Sequence, residues 1–123
     1  MKTVGTIGIL IFLGIIIQII LGHVAANGFY KSSVIPIHII IGILGLILIG
    51  YETFYALKSN KNYIKILNVI ALILVIIQVG IGSSMIESET EILTIMHQVN
   101  AYILFILLAG IGYLTFKGSR KVE

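Results

Sequence analysis

The chain has no cysteine, a single proline, and only eight basic and five acidic residues among 123. Without cysteine there can be no disulfide, thiolate metal site, iron–sulfur cluster or c-type haem attached through C-x-x-C-H. The shortage of charge says more. Hydrophobic residues make up 59% of the chain and the mean hydropathy is +1.14. A soluble domain of this length could not cover so much apolar surface, so the surrounding solvent is largely lipid.

Four segments carry no charge at all: about 4–24, 33–51, 66–86 and 92–116. At ~1.5 Å rise per residue each is long enough for a helix to cross ~30 Å of hydrocarbon. The runs are too long and too unbroken for strands, which would alternate in and out. The expected fold is all-α: one integral-membrane four-helix domain over 1–123, with helices at about 4–24, 33–57, 63–86 and 91–116. The start, "MKTVGTIGILIFLGIIIQIILGHVAANG", has the basic end and apolar core of a signal peptide, with small residues at Ala25 and Ala26. Its apolar run exceeds the usual ~7–15 residues and three further spans follow, so it reads as the first membrane helix.

The basic residues are unevenly shared. Lys2, then Lys58, Lys61 and Lys65, then Lys117, Arg120 and Lys121 fall on one side; the other has Lys31 with Glu87, Glu89 and Glu91. The positive-inside rule then puts both termini and the second loop in the cytoplasm of a prokaryotic cell, the chain being a multi-pass plasma-membrane protein. The net charge of +3 reflects that topology, and no nucleic-acid partner is implied.

The chain also repeats. The first helix ends "IIQIILG" and the third "IIQVGIG"; Gln18 and Gln78 are 60 residues apart, as are Gly22 and Gly82, and His38 and His97 are 59 apart. Two helical hairpins related by a pseudo-twofold along the membrane normal would produce this pattern. It would point helices 2 and 4 at each other across the bundle, with one histidine on each at similar depth near the outer face.

Two histidines so placed are the usual arrangement for bis-imidazole haem ligation in a membrane bundle, where iron takes a neutral nitrogen from each side of a flat macrocycle. Gly42 and Gly45 follow His38 on its own helix face, where missing side chains let a ring lie close. Asn100 and Ala101, then Leu104 and Phe105, follow His97. Propionates would extend toward Asn27, Lys31, Ser32 and Ser33. The alternative is that the two histidines are unrelated interfacial or interhelix hydrogen-bonding groups.

Gln18 and Gln78 have two readings: interhelix hydrogen bonds, or contacts that hold the free ring nitrogen of an axial histidine. His23, at the outer end of helix 1, reads as an interfacial residue, a propionate contact, or the third member of a copper or zinc site with His38 and His97. Glu52, beside Tyr51 and Tyr55, reads as interfacial, the alternative being a proton or quinone role. Pro36 suits a first helical turn, where a missing N–H costs nothing.

"QIILG" at 18–22 with "PIH" at 36–38, and "QVGIG" at 78–82 with "MHQVNAY" at 96–102, resemble the haem A synthase family. That family has two four-helix halves, each with a haem-liganding histidine near the outer end of its even helices. The resemblance spans nearly the whole chain, which would equal one half, and "HQVNAY" is most similar to the half with a resident b-type haem. It implies haem b or a related haem held by His38 and His97. In the catalytic half a glutamate precedes the helix-2 histidine by about one turn; here Val34 and Ile35 occupy that region, and the outer-loop cysteine pair of some members is absent. The resemblance therefore implies haem binding rather than carboxylate-assisted oxidation. A homodimer would rebuild eight helices from two identical halves.

Two functions follow. One is a small b-type cytochrome for electron transfer or haem handling. The other is an accessory or assembly subunit of a larger respiratory or oxidase complex. A small multidrug transporter of similar length would need a carboxylate in its first helix, and none is there.

Overall fold

A computed structural model describes residues 2–28 and 30–120, with side chains described for 6–28 and 30–117. Those residues form four helices: α1 (Lys2–Ala26), α2 (Lys31–Ala56), α3 (Asn62–Glu87) and α4 (Glu91–Arg120). All four contain a stretch long and apolar enough to cross a membrane. Each helix runs one to four residues past the expected boundaries at most ends. The reason is physical: a charge ends an apolar run but not a helix, because water at the interface can satisfy the terminal backbone groups.

The turns are short and chemically distinct. Gly28 and Tyr30 both have positive φ, 76° and 50°, which turns the chain back between α1 and α2; Gly28 takes that conformation without steric cost. Thr90 starts α4, accepting a hydrogen bond from Leu93 N–H on its side-chain oxygen at 3.3 Å, a helix N-cap. Pro36 lies within α2 rather than in its first turn, because the helix begins at Lys31. Its ring has no N–H to offer the Ser32 carbonyl, and Ser32 is exposed, where that loss is cheapest.

Each helix packs against two neighbours, α1 on α2, α2 on α3, α3 on α4 and α4 on α1, while among the described residues the backbones of the diagonal pairs do not come close. Short turns make sequence neighbours antiparallel. The bundle thus has a terminal end, with both termini and the α2–α3 turn, and a histidine end, with the other two turns. The terminal half is closed by Ile7, Ile11, Ile49, Ala71, Leu108 and Ile111. Ala71 is fully buried, its small side chain allowing α3 close to the core. Outward faces are apolar on every helix: Ile9, Ile40, Ile47, Ile66 and Ile106 are all exposed. A helix apolar all round is stable where its outer face meets lipid.

Candidate functional site

In the histidine half the four helices part around a cavity of about 580 Å³ lined by His38 and His97. His38 is the eighth residue of α2 and His97 the seventh of α4, which puts them about 9–11 Å from their helix starts. Their helices are diagonal, yet the two ring centres are 6.0 Å apart, with the planes tilted by 54°. Both rings are partly buried, and Nδ1 of each is buried without a hydrogen-bond partner.

An imidazole nitrogen lies about 1.1 Å from its ring centre and a metal–imidazole bond is about 2 Å, so two rings sharing one ion from opposite sides have centres about 6 Å apart. Both planes then contain the ligation axis but are free to rotate about it, so the 54° tilt is admissible. The residues present fit a bis-imidazole haem.

Each histidine is set in place by the neighbouring helix. Gln18 in α1 donates Nε2–H to the His38 carbonyl at 2.8 Å; Gln78 in α3 donates to the His97 carbonyl at 3.0 Å. The glutamines therefore take the interhelix bond to backbone and do not hold the ring nitrogens. Glycines make room. A Cβ at Gly22 would sit 3.7 Å from His38 Cε1 and one at Gly82 3.3 Å from His97 Cε1. A Cβ at Gly42 would come within 2.9 Å of Gln18 Nε2, so Gly42 opens the approach of Gln18 as well as lining the cavity. Gly45 and Ala101 also line it, and beside Gly45 a Cβ would meet only open space.

The two hairpins differ in one respect. Asn100 donates to Gln78 Oε1 at 2.6 Å and to the Leu74 carbonyl at 3.0 Å, while Gln18 Oε1 is buried with no partner. Ile41 stands three residues after His38, where Asn100 stands three after His97.

No protein family, curated protein or solved structure matches this chain.

The cavity reaches the turns at the histidine end, where it is lined by His23, Lys31, Glu89 and Tyr102. His23 Nδ1 is 3.0 Å from the Ile19 carbonyl. A carbonyl only accepts, so Nδ1 carries a hydrogen, and Nε2 is 3.2 Å from the Tyr102 hydroxyl. With both nitrogens engaged, His23 does not join the other two histidines. Among the described residues no group of three or more His, Asp or Glu is placed to hold a metal ion. Lys31 is ion-paired with Glu89 and Asn27 donates to the His23 carbonyl.

Glu52 is turned into the bundle: only 1% of it is exposed, and a Cβ on Gly8 of α1 would lie 3.2 Å from its Oε1. Asn100 and Tyr102 were missed as positioning groups. Their signal was present in "HQVNAY", where an amide and a phenol follow the histidine on and beside its own helix face.

Proposed function

We propose that the chain is a membrane-spanning b-type haem protein in which His38 and His97 supply the two axial ligands. The 6.0 Å separation of their rings across a diagonal of the bundle carries this reading. Bound haem supplies one-electron chemistry, or is itself the cargo being handled. The chain's own residues do the rest. Gln18 and Gln78 anchor the histidine-bearing backbones, Gly82 leaves room for the His97 imidazole, and the predominantly apolar cavity wall excludes water. Val34, in place of a carboxylate one turn before His38, leaves no group there to assist an oxidation.

Matched glutamine, glycine and histidine contacts in the two hairpins support a pseudo-twofold. The lysine distribution supports cytoplasmic termini, with the haem toward the outer face of a prokaryotic plasma membrane. Similarity to one half of a haem A synthase favours electron transfer or haem handling, alone, as a homo-oligomer, or within a respiratory complex.

The test is direct. Protein purified from haem-replete cells is expected to show a reduced-minus-oxidised b-type spectrum and one haem iron per bundle by metal analysis, with the spectrum lost in His38→Ala and in His97→Ala. A colourless preparation, or full spectra in both variants, overturns the proposal and favours the accessory-subunit reading.

A further inference from the structure

The terminal half of the bundle contains a second polar layer that the haem reading leaves unused. Glu52 and Thr53 on α2, Asn68 on α3 and Thr115 on α4 are all buried, Glu52 at 1% and Asn68 at 0% exposure. Glu52 is 14 residues beyond His38 on the same helix, about 21 Å along the axis. The apolar side chains of Ile11, Ile49 and Leu108 lie between the two layers.

Each side-chain donor group in this layer already makes a hydrogen bond. Thr53 Oγ1 bonds to the Ile49 carbonyl at 2.7 Å and to the Asn68 carbonyl at 3.3 Å. Thr115 Oγ1 donates to the Ile111 carbonyl at 2.8 Å. Asn68 Nδ2 donates to the Ile64 carbonyl at 2.9 Å, which fixes the amide's orientation, since a flip would set oxygen against oxygen. Two acceptors remain buried and unpaired: Glu52 Oε2 and Asn68 Oδ1.

Nor does a described cation neutralise Glu52. Lys58 lies over the Phe54 and Tyr55 rings, at 4.3 and 5.4 Å, and Lys117 is 5.9 Å from the Tyr113 ring centre. Among the described residues the one ion pair is Lys31–Glu89, at the opposite end, so Lys61 and Lys65 make none. The phenols of Tyr51 and Tyr55 bond to each other. An ionised carboxylate with no counter-charge in the dry part of a membrane bundle is strongly disfavoured.

We propose that Glu52 is a proton-binding site, a neutral carboxylic acid whose O–H is given to Asn68 Oδ1. One proton resolves both unpaired atoms, turning a surplus acceptor into the donor that the amide oxygen lacks. The site is separate from the histidine pair and does not depend on haem.

Infrared spectroscopy of the full chain in lipid tests this. At neutral pH the wild type is expected to show a protonated-carboxyl C=O band that shifts in D2O. The band is expected to vanish in Glu52→Gln and, with Glu52 retained, to move to higher frequency in Asn68→Leu as the hydrogen bond is lost. Circular dichroism establishes that each variant keeps its helices; should Glu52→Gln not fold, the Asn68→Leu shift decides. Absence of the band in folded wild type, its persistence in folded Glu52→Gln, or an unmoved band in Asn68→Leu overturns the proposal.

Discussion

His38 and His97 lie 6.0 Å apart, ring centre to ring centre, on two helices that do not pack against each other. Only side chains bridge that diagonal, so the pair depends on both hairpins being correctly registered. His38→Gly and His97→Gly are each expected to lower haem affinity roughly tenfold or more, since even groups that merely support a ligand change affinity 10–100-fold. Added imidazole is expected to restore the low-spin spectrum in part, by filling the vacated space. Optical titration with and without imidazole checks this.

Gln18 and Gly42 form a coupled pair, because a Cβ at position 42 would come within 2.9 Å of the Gln18 amide nitrogen. Gly42→Ala is expected to push the amide off the His38 carbonyl and to destabilise by about 0.6–1.7 kcal/mol, the range for such bonds in membrane bundles. In a Gln18→Ala background the same change should cost close to nothing. A double-mutant cycle read by unfolding in mixed micelles measures the coupling.

Asn100 bonds two groups of α3 at once, Gln78 Oε1 and the Leu74 carbonyl. Asn100→Leu is expected to cost about 1–3 kcal/mol, because it leaves a buried amide oxygen unpaired. The double variant Asn100→Leu/Gln78→Leu should lose less than the sum of the single changes. Thermal unfolding of the three variants distinguishes these outcomes.

The Lys31–Glu89 ion pair joins the start of α2 to the α3–α4 turn, and each side chain is nearly half exposed. Glu89→Gln is therefore expected to change stability by less than about 1 kcal/mol, and the difference should shrink as salt is raised. Because both residues line the cavity, the rate of haem loading is the more sensitive measurement, and it is expected to change more than stability does.

Several features were legible in the sequence for definite reasons. Long charge-free runs pointed to membrane helices, and the described residues form four helices long and apolar enough to cross a membrane. The spacing of His38 from His97 implied facing imidazoles, and the rings do face one another. Side-chain partners were less legible. Spacing places Gln18 near His38 but does not say whether its amide meets the ring or the carbonyl; Gly42, by leaving the His38 carbonyl open, decides that. The orientation of Glu52 was not legible, because distance from a helix end says nothing about which way a side chain points, and it points into the core.

By itself, the sequence determined the number and length of the spans and which residues carry the chemistry, because those follow from hydropathy and from the scarcity of polar groups in apolar runs. The tertiary structure decided which polar groups meet. It brought His38 and His97 together across a diagonal, engaged both nitrogens of His23, and buried Glu52 and Asn68. Helix rotation sets each of these outcomes, and in helices apolar on every side the hydrophobic pattern constrains rotation only weakly. Small residues and buried hydrogen bonds settle it instead.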